Sequence, residues 1–105
     1  MGLEISVNEG GSGTVITAKG EVDLGSAPQL RDAILKAVKS AKTGLAIDLS
    51  SVGYMDSSGV ATLVEGLKAC REPNIPFSIV SPSQSVRKVL ELSRLDSVFT
   101  IKEKA

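Results

Sequence analysis

The chain has no histidine and no tryptophan, a single cysteine, and Tyr54, Phe77 and Phe99 as its only aromatic residues. Each shortage excludes something. Without histidine a Ser-His-Asp triad is impossible, and the commonest general base and metal ligand is missing. With Cys70 alone no internal disulfide can form, which excludes a disulfide-stapled secreted scaffold. Twelve basic and twelve acidic residues cancel, whereas nucleic-acid binders carry a basic stripe and aromatics for stacking. No nucleic-acid partner is expected. Apolar runs stay well short of the roughly 18 residues of a membrane-spanning helix, and no basic-then-apolar leader opens the sequence. No membrane partner and a cytoplasmic location follow as expectations.

What is present is aliphatic. Of 105 residues, 42% are hydrophobic, enough for one domain with a core of Val, Ile, Leu and Ala. Leu3 to Val7 alternates apolar and polar residues as a half-buried strand does. Met1 to Ser6 formally fits an N-myristoylation signal, but the alternation of Leu3, Ile5 and Val7 favours a first strand. Asn8 to Gly13 is a glycine-rich turn, and the β-branched start of Thr14 to Gly20 reads as the second strand of a hairpin. Ser26-Ala27-Pro28-Gln29 then matches a helix start, with Ser26 as cap, Pro28 in the first turn and Gln29 completing a capping box. Leu30, Ile34, Ala37, Val38 and Ala41 form its apolar face, and Lys42-Thr43-Gly44 ends it.

Leu45 to Leu49 reads as a short buried strand, and Ser50 to Gly59 as a connection. A second helix follows, with Val60, Leu63, Val64, Leu67 and Cys70 on one face. Phe77 to Val80 is a further strand; Ser81-Pro82-Ser83-Gln84 repeats the cap pattern ahead of a third helix with Val86, Val89 and Leu90 inward. Val98 to Ile101 is a possible last strand, and the final Lys-Glu-Lys-Ala is expected to fray. Alternating strands and helices imply right-handed crossovers. The expected fold is α/β: a mostly parallel four- to five-stranded sheet with an N-terminal antiparallel hairpin and three or four helices, as one domain over residues 1–105.

In open α/β sheets function gathers beyond the carboxyl ends of the parallel strands. Gly20-Glu21-Val22-Asp23 and Tyr54-Met55-Asp56-Ser57-Ser58-Gly59 occupy such places. Should their strands be parallel neighbours, Asp23 and Asp56 flank the serines. No enzyme signature sits here: Asp56-Ser57-Ser58-Gly59 lacks the glycine two residues before the serine of a nucleophile elbow, and Gly10 to Gly13 has no following Gly-Lys-Ser/Thr. Asp23 and Asp56 as a carboxylate pair have no partnering cation nearby in sequence. No catalytic residue, cofactor or metal is expected, and Cys70 reads as a buried small hydrophobe. Asp56, Ser57 and Ser58 are all good capping residues, but three in a row exceed what capping needs. A hydroxyl at a helix start is also a favourable place for a phosphate. Modification there adds about −1.5 to −2 charge. Capping chemistry alone does not separate Ser57 from Ser58.

Gly20-Glu21-Val22-Asp23, Ala46-Ile47-Asp48-Leu49-Ser50-Ser51-Val52 and Met55-Asp56-Ser57-Ser58-Gly59 together resemble the motifs of the STAS domain family, and most closely its bacterial anti-sigma-factor antagonists. The resemblance covers essentially the whole chain. It implies a partner switch: the unmodified antagonist binds an anti-sigma factor that is also a serine kinase, releasing the sigma factor. Phosphorylation by that kinase abolishes binding, and a phosphoserine phosphatase restores it. On the matching positions the resemblance makes Ser57 the phosphorylation site. Asp23, Met55, Asp56, Ser57, Ser58 and Gly59 become partner-binding residues. Gly53-Tyr54 is less typical, which bears only on the rigidity of the loop. A second expectation is a STAS subunit of a lipid-transport ABC complex or signalling scaffold, docked constitutively, with Ser57 only a cap.

Overall fold

The computed structural model describes residues 2–10, 13–41 and 43–103. Through them run β1 (Leu3–Gly10), β2 (Gly13–Val22), α1 (Ala27–Ser40), β3 (Leu45–Met55), α2 (Ser57–Arg71), β4 (Phe77–Val80), α3 (Gln84–Leu92) and β5 (Thr100–Lys102). The strands lie side by side in chain order. β1 pairs antiparallel with β2, and each later pair is parallel. This is the α/β fold expected from the alternation of elements, with the hairpin at one edge.

Leu3 already pairs with Gly20, so the N-terminal segment enters the sheet as a strand, and Gly10 pairs with Gly13 where the hairpin closes. Met1, Gly11 and Ser12 of the expected first segment and turn, and Lys42 at the expected helix end, lie outside the described residues. Gly20 has φ +122°, and a Cβ there would run into the Gly2 carbonyl oxygen. Only glycine meets both conditions.

A sheet built strand by strand through right-handed crossovers keeps its helices on one side. The burial pattern shows that division. Ile16, Ala18 and Val22 of β2 are fully buried, while Val15 and Thr17 on the opposite face are only partly so. Leu45, Ile47 and Leu49 of β3 join Leu30 and Ile34 of α1, Leu63 of α2 and Val86 and Leu90 of α3 in one cluster. Fully burying each such aliphatic side chain is worth about 1.5–3 kcal/mol. Phe77 and Phe99 meet at the edge of this core with ring centroids 6.3 Å apart. Cys70 is buried on α2, and that burial pushes its thiol pKa up.

Four local expectations are corrected. First, β3 does not stop at Leu49 but continues to Met55. It outruns β4, whose last partner is Asp48, and stays paired with β2 as far as Val22 and Met55. Its outer carbonyls at Leu49 and Val52 are taken instead by the Ser83 N–H at 3.2 Å and the Ser83 hydroxyl at 2.6 Å. Gly53 and Tyr54 are therefore strand residues, not loop. Second, α2 begins at Ser57 rather than after Gly59. Third, Ser83, not Ser81, caps α3, accepting from the Val86 N–H at 3.3 Å. Fourth, the last strand is Thr100–Lys102, and Glu103 is tied to Arg87 by an ion pair and to the Ser81 hydroxyl. The tail expected to fray is thus anchored through Glu103; Lys104 and Ala105 lie outside the described residues.

Candidate functional site

Val22 and Met55 are paired neighbours on parallel strands, so the residues that follow them, Asp23 and Asp56, stand side by side at one edge of the sheet. The Asp56 N–H donates to the Val22 carbonyl at 3.1 Å and carries the pairing one step further. Each acid then starts a helix. The Asp56 carboxylate accepts from the Ser58 N–H at 2.8 Å, and its carbonyl accepts from Gly59 and Val60. It is an N-cap in an extended conformation, as the residue type favours.

Asp23 does the equivalent work one strand away. Its Oδ1 accepts from the N–H groups of Gly25 and Ser26, both at 3.0 Å, and its carbonyl accepts from Ala27 at 2.7 Å. These bonds to the charged form, with that of Ser26 largest, hold the Asp23 carboxyl below the ordinary aspartate pKa. The capping box expected at Ser26 does not form: Ser26 is already helical, at φ −105° and ψ −18°, and makes no side-chain cap bond. Its hydroxyl donates to the Glu21 carbonyl at 2.7 Å and accepts from the Asp23 N–H at 3.0 Å. Gln29 reaches away to the Leu3 carbonyl at 2.8 Å. Ser26 therefore fastens the Asp23 turn to β2. An acid followed three residues later by a serine carried this signal in the sequence.

The two turns present different side chains one residue past their acid. Leu24 follows Asp23 and is 79% exposed. Ser57 follows Asp56 as the first residue of α2 and is also exposed. Among the described residues its hydroxyl is not taken up by a backbone carbonyl in the way that Ser26 and Ser83 are. Ser58 is less exposed. Met55 is 3% exposed and Gly59 is buried; they act from beneath the loop, not on its surface. A Cβ at Gly59 would lie 2.6 Å from Met55 Cγ and 2.8 Å from Val22 Cγ1. The glycine thus lets the first turn of α2 sit directly on the strand pair. Gly66, one heptad on, does the same against α1, where a Cβ would lie 2.9 Å from Ile34 Cγ2. The sequence analysis named Gly59 only as a partner-binding residue and passed over Gly66, although two glycines seven apart on one helix were a signal for close packing.

Tyr54, 49% exposed, alternates with the buried Met55 and so projects from the face of β3 away from the helices. The arrangement offers a hydroxyl nucleophile to an outside enzyme, with Asp56 directly before it and Asp23 at the end of the neighbouring strand. Among the described residues no three His, Cys, Asp or Glu side chains converge as metal ligands, and no helix is long and apolar enough to cross a membrane.

A family model described as Mlab, STAS domain matches residues 5–101. An anti-sigma-B factor antagonist of Listeria monocytogenes is 30% identical over 105 residues, which cover 97% of this chain and 90% of that protein. The anti-sigma-F factor antagonist RsfB of Mycobacterium tuberculosis is 28% identical over 99 residues, 94% of this chain and 80% of the relative. The crystal structure of an anti-sigma factor antagonist from Mycobacterium paratuberculosis superposes with a TM-score of 0.88 at 26% identity, covering 97% of this chain and 86% of that one. Because the family match runs from within β1 into β5, the chain belongs to the STAS domain family.

Proposed function

We propose that this protein is an anti-sigma-factor antagonist without catalytic activity of its own, switched by phosphorylation of Ser57. Its unmodified form binds an anti-sigma factor that is also a serine kinase, and so releases a sigma factor. The observation that carries this reading is the exposed Ser57 hydroxyl at the first position of α2, on a chain whose relatives bear the antagonist name.

The chemistry is a phosphoryl transfer supplied by the kinase. Ser57 Oγ attacks the γ-phosphorus of ATP, the bond to the ADP oxygen breaks, and the hydroxyl proton passes to a base of the kinase. The product carries about −1.5 to −2 charge. The α2 N-terminus tolerates it, contributing ~0.3–1 kcal/mol toward an anion. A partner surface fitted tightly against Asp23, Asp56 and a small neutral hydroxyl does not, because the phosphate overfills the space shaped for the hydroxyl and would have to shed its water there. A phosphoserine phosphatase reverses the change by hydrolysis.

Two measurements test this. Incubation with the serine-kinase anti-sigma factor of the same organism and ATP, followed by phosphosite mapping, should place the label on Ser57. Ser57→Ala should remain unlabelled while Ser58→Ala is labelled normally. In calorimetry Ser57→Asp should bind that kinase at least about tenfold more weakly than wild type. Labelling of Ser57→Ala, or equal affinity of Ser57→Asp, sinks the switch. The second result points instead to constitutive docking, as in a subunit of a transport complex.

A further inference from the structure

The sheet ends in two unlike edges. β5 is three residues long, carries Lys102, and is followed by Glu103, which is tied to Ser81 and Arg87. β1, at the other edge, runs for eight residues in unbroken register with β2. Exposed edge strands are normally guarded by shortness, a bulge, a proline or a lysine, because their free backbone groups invite another strand. β1 has none of these guards. Its only charges, Glu4 and Glu9, lie toward its ends and leave Ile5 to Asn8 uncharged.

The pairing fixes which backbone groups of β1 are free. The Glu21 N–H donates to the Gly2 carbonyl. With Leu3 opposite Gly20, the even-numbered residues of β1 are then the ones that bond to β2. Leu3, Ile5, Val7 and Glu9 turn their N–H and C=O groups outward. Gln29 of α1 takes the Leu3 carbonyl at 2.8 Å, so among the described residues the edge is open from Ile5 onward. The side chains follow the same gradient. Leu3 is buried, Ile5 is partly exposed and Val7 is 48% exposed. All three share one face of the strand, and Val7 is the part of it that the core does not cover.

A strand that complements this edge is apolar opposite Val7 and carries no acid opposite Glu4 or Glu9. A second β1 laid antiparallel meets both conditions. With Val7 opposite its own copy, Ile5 faces Glu9 and Glu4 faces Gly10, so no like charges are directly opposed. The outward groups of Ile5, Val7 and Glu9 then bond in matched pairs, and the contact is self-complementary about a two-fold axis. We propose that two copies of the chain pair through β1 in this register, joining their five-stranded sheets into one with Val7 on the axis. The interface is small, which places the association in the weak class.

Sedimentation equilibrium up to about 1 mM, the range that detects a weak complex, should show wild type moving from 10.9 kDa toward twice that mass. Val7→Lys should weaken the association about tenfold or more, because the dimer then opposes two lysines. A thermal melt establishes that this variant is folded. Val7→Cys, incubated with oxidised glutathione, should yield a disulfide-linked dimer. Opposed residues of a hydrogen-bonded antiparallel pair lie about 5.5 Å apart between Cα atoms, within disulfide reach. Wild type should not link, since Cys70 is buried, nor should Ser6→Cys, which faces Asn8 in this register. A wild type that stays monomeric throughout, or a dimer that Val7→Lys leaves intact, overturns the proposal. Linking of Ser6→Cys without linking of Val7→Cys overturns it as well. Neither Ser57 nor Asp23 lies on β1, so Val7→Lys should be labelled by the kinase as wild type is, and the two readings stand or fall separately.

Discussion

α1 and α2 begin at neighbouring points of the same sheet edge, each behind an aspartate, yet they are fastened by different means. At α1 the fastening is polar. The Ser26 hydroxyl and Asp23 carboxylate use their hydrogen bonds on each other's backbone and on Glu21, leaving Leu24 as the exposed side chain. At α2 it is steric: Asp56 caps one N–H, and the helix is seated by Gly59 lying against Met55 and Val22. Because packing holds α2 down, its first hydroxyl is not needed for the fold. Serine at a helix start is thus structural in one turn and available in the other. Residue type alone does not distinguish them; what the hydroxyl touches does.

The largest expected effect falls on the steric fastening. Gly59→Ala should destabilise by about 1–3 kcal/mol, the usual range when a methyl is forced into a filled core, measured from the urea unfolding midpoint. The same substitution should also tilt the start of α2 and slow labelling of Ser57 by the kinase. A variant as stable as wild type would mean that α2 is not seated through Gly59.

The polar fastening is next. Ser26→Ala removes the tie to Glu21, and Ser83→Ala leaves the Val52 carbonyl and the Val86 N–H without their partner. Each should cost about 1–2 kcal/mol. Ser57→Ala should change stability by less than about 0.5 kcal/mol, as exposed substitutions do. Measuring the three in parallel sharpens the comparison, since a loss at Ser57 equal to that at Ser26 would make both serines structural.

How much of this was legible follows from where the deciding contacts lie. β4 is found where the sequence puts it, from Phe77 to Val80, because a short, mostly apolar run between Pro76 and Pro82 is a local signal. The helices' apolar faces were equally local. The extension of β3 was not: Ser50, Ser51 and Gly53 look like a loop, and only pairing with β2 and the reach of Ser83 make them strand. The Ser26 assignment failed for a similar reason. Ser-x-x-Gln is a genuine capping pattern, but β2 ends at Val22, which puts Asp23 first in line for the exposed N–H groups. In the loop, Asp56 and Ser57 were legible as types. The burial of Met55 and Gly59 below them was not, since it depends on α2 lying across two strands.

The smallest expected effect is a pH dependence at the Asp23 turn. Hydrogen bonds from Ser26 and Gly25 lower the pKa of Asp23 in the folded protein. A carboxyl whose folded pKa lies below its unfolded value, about 3.9, stabilises the fold above that value. The contribution disappears as pH falls through the folded pKa. Asp23→Asn keeps an acceptor oxygen but cannot titrate. Between about pH 5 and pH 2 its melting temperature should therefore fall less steeply than that of wild type, with the curves parallel at neutral pH. The difference is small because the carboxylate faces water, where its bonds compete with hydration. Identical acid limbs for the two proteins would mean that the Asp23 turn is held by Ser26 alone, and the polar fastening of α1 would reduce to one hydroxyl.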